Sequence, residues 1–215
     1  MVQFLMLSRF LMISDNLKQV KSRIDSVQSS HQVELIAVSK TRSTAEIQEA
    51  VDAGQIHFGE NYLQESIEKI NFFKGRGLVW HFIGPIQSNK TSPIANNFDW
   101  VHSVDRVKIA KRLSEQRNPS LGVLKILIQI NVDREESKSG VDIVNVAEIV
   151  SEIESLPNLS LKGFMTIPSP ENSAKSFSQM KHLISKYPNL DTLSMGMSSD
   201  LEIAIENGAN LVRVG

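Results

Sequence analysis

The feature that most restricts what this chain can fold into is the regular exchange of two hydrophobic periods along its length. Eight short runs rich in apolar and β-branched residues read as buried strands: 33–40 (VELIAVSK), 56–59, 79–84, 99–104, 124–132 (LKILIQINV, the longest), 161–167, 190–197 and 211–215. Between them the apolar residues recur three or four apart, which predicts helices over 43–54, 61–73, 93–97, 107–116, 144–156, 173–186 and 201–207. Ser43 with Glu46 forms a capping-box signature, and Gly54 and Gly208 supply helix stops. Leu17, Val20, Ile24 and Val27 mark a further helix over 14–28, ahead of the first strand. Strict alternation of strand and helix calls for parallel strands joined by right-handed crossovers, an α/β protein. Eight repeats in 215 residues fit a single (β/α)8 barrel of the TIM type, near its lower size limit. An open doubly wound sheet is the alternative. It would want a G-x-G-x-x-G turn after the first strand, where this chain has Ser39-Lys40-Thr41. The barrel expected here carries an extra helix at its start and lacks the helix that usually follows the eighth strand.

Composition removes several functions. The formal net charge of −1 disfavours a duplex nucleic-acid partner, which would call for a basic excess. The absence of cysteine excludes disulfides, thiolate metal sites and cysteine nucleophiles, and fits a reducing, cytoplasmic setting. Residues 1–13 (MVQFLMLSRFLMI) are apolar but lack the basic start and small-residue cleavage site of a signal peptide. They are also shorter than the roughly 20 apolar residues of a membrane-spanning helix. We read them as an N-terminal extension, from a start upstream of Met12, ahead of one barrel domain over 14–215. No membrane partner is expected.

In such a barrel, chemistry gathers where strands end. Three features stand out there. Lys40 shares one face of its strand with Ile36 and Val38 by period-two alternation. Were that face the barrel interior, desolvation would free the amine for a Schiff base with a carbonyl; the bland alternative is a lysine that snorkels into solvent. Arg213 interrupts Leu211-Val212-Arg213-Val214, so that it points inward with Leu211 while the valines face the helices. A buried guanidinium needs a partner, either a carboxylate of the fold or a ligand acceptor. The segment GMSSD, 196–200, joins the seventh strand to a helix. Ser199 and Glu202 again look like a capping box, and the loop could either hold an anion or simply cap the helix. A strand-end lysine, a phosphate cradle and an arginine together match the needs of pyridoxal 5′-phosphate (PLP).

The segments AVSKT (37–41), FGENYLQE (58–65), WHFIGPIQSNK (80–90), QINVDREESKSGV (129–141), LSMGMSSDLEIAI (193–205) and VRVG resemble, in order, the pyridoxal phosphate homeostasis protein family. That family is similar to the barrel domain of alanine racemases without their second, β-rich domain. The resemblance implies that Lys40 carries PLP covalently as a Schiff base, and that Ser198, Ser199 and Gly215 lie around its phosphate. It further implies that Arg213 faces the pyridine nitrogen and that Asn61, His81 and Met165 line the pocket. The family is thought to buffer and deliver PLP, a form of vitamin B6, rather than to turn over a substrate. Its members usually continue past V-R-x-G into a Thr, an I-F-G segment and a closing helix, whereas this sequence stops at Gly215.

The residues give that role a reason. An arginine stays charged and can only donate, so the ring nitrogen opposite it stays unprotonated. An unprotonated ring is a weaker electron sink. Tyr62 and Tyr187 are the only tyrosines, and neither is a candidate for the second base that a racemase requires. A non-catalytic, monomeric PLP carrier serving PLP-dependent apoenzymes is therefore expected ahead of an amino-acid racemase. His57, His81 and His102 on successive strands raise a metal-dependent hydrolase as a third reading, without the H-x-H pair or clustered carboxylates that would support it. Lys90, Arg134 and Lys138 fall in loops at the expected mouth, where they would steer an anion inward.

Overall fold

The computed structural model describes residues 2–133 and 139–215, with side chains from residue 13 onward. Eight strands form a closed, all-parallel barrel in sequence order: β1 (Glu34–Val38), β2 (His57–Glu60), β3 (Val79–Phe82), β4 (Trp100–Val104), β5 (Leu124–Gln129), β6 (Leu159–Met165), β7 (Thr192–Ser194) and β8 (Leu211–Val214). Closure is made by β8 on β1, with Ile36 opposite Arg213. The helices are α1 (Val2–Ser26), α2 (Thr44–Asp52), α3 (Leu63–Phe72), α4 (Thr91–Asn97), α5 (Val107–Gln116), α6 (Val146–Glu154), α7 (Ser173–Ile184) and α8 (Leu201–Glu206). Among the described residues, no helix is long and apolar enough to cross a membrane.

Alternation along the strands divides the core in two. Outward residues such as Leu35, Phe58, Trp80, Val101, Phe164 and Val212 pack beneath the helices in the large outer core. Inward, Ile36, Leu127, Met165 and Leu211 form a small separate cluster edged by Trp100. Most of the remaining interior is polar, which is where function enters.

Three expectations shift. The first helix begins at Val2, because the Leu, Met and Phe residues of 2–13 favour a helix and contain no breaker. It packs against α2 and α8, and a cavity separates it from the β8 and β1 ends. The longest strand is β6 with 7 residues, not β5 with 6. The Ile130 N–H still bonds to the Met165 carbonyl of β6, after which the fifth strand leaves the ladder and the Asn131 N–H turns to Val141 of the following loop. The seventh strand keeps only 3 of the residues expected over 190–197, and its N–H groups beyond Ser194 bond to β8 or to loop acceptors. The Ser43–Glu46 capping box is present in both directions.

Candidate functional site

Arg213 sits where its parity on β8 requires, inside the barrel and only 4% exposed. One guanidinium nitrogen donates to Ser194 Oγ at 2.5 Å and another to the Thr166 carbonyl at 2.9 Å. Among the described residues no carboxylate lies within ion-pair distance. Burial pushes its pKa down to about 10, with partial relief from the field of Asp200. That carboxylate is held elsewhere, accepting from Ser173 Oγ and the Met197 N–H, each at 2.7 Å. Of the two partners open to Arg213, the structural carboxylate is thus absent among the described residues. A cation with five N–H groups meets two neutral acceptors, an arrangement with donors to spare for a ligand.

From Ser194 a chain of contacts crosses the interior. His102 Nδ1 lies 2.9 Å from Ser194 Oγ, His81 Nδ1 lies 2.9 Å from His102 Nε2, and His57 Nδ1 lies 3.0 Å from His81 Nε2. His57 Nε2 faces Glu34 at 3.8 Å. Burial, reinforced by neighbouring positive charge, holds the pKa values of His81 and His102 well below the ordinary histidine range. Both ring nitrogens of His81 and of His102 are taken by these contacts, which leaves them no lone pair aimed at a metal.

Lys40 follows β1 on the rim of the C-terminal mouth and is exposed. The desolvated amine expected from the strand pattern is not found, because β1 ends at Val38 and carries Lys40 clear of the apolar interior. Its neighbours are held firmly. Thr41 adopts a left-handed φ of 63°, uncommon for a branched residue. Its N–H donates to Glu65 Oε1 at 2.6 Å. Glu65 also pairs with Lys69, a buried lysine that donates to the Ser39 carbonyl at 2.6 Å and to Glu60 Oε1 at 2.8 Å. Ser39 Oγ donates to the same Glu60 oxygen at 2.7 Å. Glu60 is fully buried, and desolvation raises its pKa against the pull of Lys69 and Ser39. This cluster lies on the outer side of the β1 and β2 ends, and the sequence reading missed it. Its signal was a lysine at a buried position of α3.

The loop after β7 presents Ser198 and Ser199 to solvent. The expected capping box of Ser199 and Glu202 is not formed. The N-cap is Asp200, and Glu202 is drawn away by Arg23 of α1, whose Nε lies 2.6 Å from it. A second Arg23 nitrogen holds the Ser198 carbonyl at 2.9 Å, which pins this loop from outside the barrel. Gly215, at the end of β8, abuts Val38, where an added Cβ would lie 3.1 Å from the valine Cβ. Lys40 and Gly215 therefore follow adjoining strand ends. Asn61 is at the mouth after β2, and its Oδ1 is buried with no hydrogen-bond partner among the described residues. Gly84 makes room for it, since any Cβ there would strike the Asn61 main chain. His81 and Met165 are fully buried on the interior side of their strands.

A cavity of 280 Å³ opens beside Asn61, bounded by Ile83, Pro85, Asn131 and Ile167. A cavity of 410 Å³ lies outside the barrel wall between α1, α2 and Gly215 and touches neither Lys40 nor Arg213. Lys90 is exposed in the loop after β3, whereas Arg134 and Lys138 lie outside the described residues.

The family profile of the alanine racemase N-terminal domain matches residues 13–215. The pyridoxal phosphate homeostasis protein of Escherichia coli K12 is 44% identical, over 94% of this chain and 94% of its own. The chain belongs to the pyridoxal phosphate homeostasis protein family. Another member of this family, from Pseudomonas aeruginosa, is 48% identical over 94% of this chain and 93% of its own. PipY of Synechococcus elongatus, solved with PLP bound, superposes with a TM-score of 0.83 at 34% identity, covering 94% of this chain and 97% of PipY. The alanine racemase of Clostridium difficile shares the fold, with a TM-score of 0.74 at 13% identity, and this chain matches 55% of its length.

Proposed function

We propose that the chain binds PLP covalently on Lys40 at the C-terminal mouth of the barrel, and that it buffers and delivers PLP in the cytoplasm as a monomer, without turnover. The observation that carries the reading is Arg213, a buried cation met only by neutral acceptors among the described residues. The orphaned Asn61 Oδ1 and the close approach of Gly215 to Val38 also fit a ligand seated here. PLP, when bound, supplies an aldehyde that amines attack and an electron-withdrawing ring. Lys40 is the amine that would hold it, Arg213 would donate to the ring nitrogen, and the hydroxyls of Ser198 and Ser199 with the main chain at Gly215 would hold the phosphate. Asn61, His81 and Met165 would shape the pocket around these contacts.

The chain's own residues favour carriage over catalysis. Arg213 cannot accept a proton, so it keeps the group opposite it in its weaker electron-withdrawing form. Neither tyrosine is placed as a second base: Tyr62 is exposed at the start of α3, and Tyr187 packs edge-on to Phe164 in the outer layer. Exposure of Lys40 would leave a covalent bond at its amine open to water and to the amines of recipient apoenzymes, which suits release. The test is a spectrum of the purified protein with and without PLP, followed by borohydride reduction and peptide mass mapping. The expected result is one reduced adduct, on Lys40. An adduct on another lysine overturns the assignment, and robust isotope exchange at an amino-acid Cα would make the protein a racemase instead.

A further inference from the structure

The barrel contains a line of groups of which only His81 and Arg213 belong to the proposed PLP site. It starts in a cavity of 370 Å³ at the N-terminal face, lined by Lys21, Asp25, Glu34 and His57. It ends at Arg213. Each group in between spends its polar atoms on the next, and the order of donors along the line can be derived. Arg213 can only donate, so Ser194 Oγ accepts from it. The serine proton then has one partner among the described residues, His102 Nδ1. His102 therefore carries its proton on Nε2 and donates to His81 Nδ1, and His81 in turn donates from Nε2 to His57 Nδ1. This leaves the Nε2 proton of His57 directed at the Glu34 carboxylate. The reverse order would strand the serine proton and aim a nitrogen lone pair at that carboxylate. Both ends of the line thus select the same direction.

We propose that His57, His81, His102 and Ser194 form one polarised hydrogen-bond column, with the Glu34 carboxylate 3.8 Å beyond its far end, that positions Arg213 from beneath. A carboxylate at one end and a guanidinium at the other hold all three imidazoles as neutral Nε2–H tautomers. The column fixes Ser194 as an acceptor and thereby fixes the plane in which Arg213 presents its remaining donors. Burial keeps His81 and His102 neutral, and Arg213 adds to the effect on His102. His57 is the half-buried end of the column and lines the cavity at the N-terminal face. It is faced by Glu34 from β1 and His81 from β3 and feels the charges of Lys125 from β5 and Asp99 before β4, while Lys21 and Asp25 of α1 line the same cavity. These are positioning residues. Their effect on a ligand rests on the PLP reading, but the tautomers and the arginine do not.

The experiment uses the ligand-free protein labelled with ¹⁵N at histidine and arginine. Long-range ¹H–¹⁵N spectra at pH 7.5 are expected to show Nε2–H tautomers for His57, His81 and His102, each assigned by its own substitution. The Arg213 guanidinium is expected to show slow rotation, with resolved Nη signals. In Ser194→Ala or His102→Leu those signals should coalesce, with rotation faster by about tenfold or more. Glu34→Gln changes only the rim and should fold normally; there a Nδ1–H population is expected to appear at His57. A Nδ1–H or averaged tautomer at His81 or His102 in the wild type overturns the proposal. So does Arg213 rotation that is unchanged when Ser194 is removed. Titration of the wild type with PLP is a separate arm: failure to bind would sink the carrier reading and leave the column standing.

Discussion

Two polar clusters are buried on opposite sides of the same barrel wall, and they are built differently. On the outer side of the β1 and β2 ends, Lys69 is matched by two carboxylates, Glu60 and Glu65, and by the Ser39 carbonyl. Its charge is consumed within the fold. On the inner side, Arg213 has a hydroxyl and a carbonyl. Its charge is supported but not neutralised by a contact. Lys40 stands at the rim between them, exposed. The contrast is between a cation paired with carboxylates in the wall and a cation that, among the described residues, meets only neutral acceptors.

The strongest attempt to break that contrast is Lys40→Ala. It should abolish the borohydride-reducible PLP adduct altogether, while Lys69 stays unmodified in both proteins. Peptide mass mapping decides, and an adduct that moves to Lys69 would show that the outer amine is not consumed. Next comes Lys69→Met. It leaves Glu60 buried without its cation, and such broken pairs cost about 3–5 kcal/mol. Urea unfolding should show that loss, and adding Glu60→Gln should recover part of it. If Lys69→Met is neutral, the outer cluster does not hold the wall.

A smaller effect concerns pH. His81 and His102 have pKa values below those of the unfolded chain, so the unfolded state takes up protons first as pH falls. Their contribution is present above about pH 6.5 and is lost as pH drops below it, by about 1.4 kcal/mol per unit for each histidine held neutral. Glu60, with a raised pKa, works the other way. Its contribution is present below the ordinary glutamate range and is lost as pH rises through its folded value. Unfolding between pH 7.5 and 5.5 should therefore show falling stability with a slope that weakens in His81→Phe. The smallest effect is expected from Arg23→Ala. Its pair with Glu202 is more than one-third exposed and contributes about 0–1 kcal/mol. Release of the Ser198 carbonyl should nonetheless weaken PLP binding a few-fold, measurable by absorbance titration.

The inward aim of Arg213 was legible because parity on a strand is a local property, and Leu211 on the interior side with Val212 on the helix side confirms it. The Ser43–Glu46 box was legible for the same reason, since both partners lie within one turn. The same pattern misled at Ser199 and Glu202, where Arg23, 179 residues away in sequence, outcompetes the cap. The histidines were visible singly, on three successive strands. That they touch depends on the barrel's stagger, which sets His57 opposite Val79 and His81 opposite Trp100, and so brings each ring alongside the next one up.

Hydrophobic period determined that this chain alternates strand and helix and that Arg213 faces the interior from its strand, while the eightfold count and the missing G-x-G-x-x-G turn favoured a barrel over an open sheet. Those outcomes follow from side-chain direction and burial, which act over a few residues. Tertiary structure decided which charges are spent and which are kept: Lys69 tied, Arg213 unneutralised, Lys40 lifted clear, three imidazoles joined in a line. Such outcomes depend on distances between residues far apart in the chain, and a buried charge is governed by what stands within a few ångströms of it.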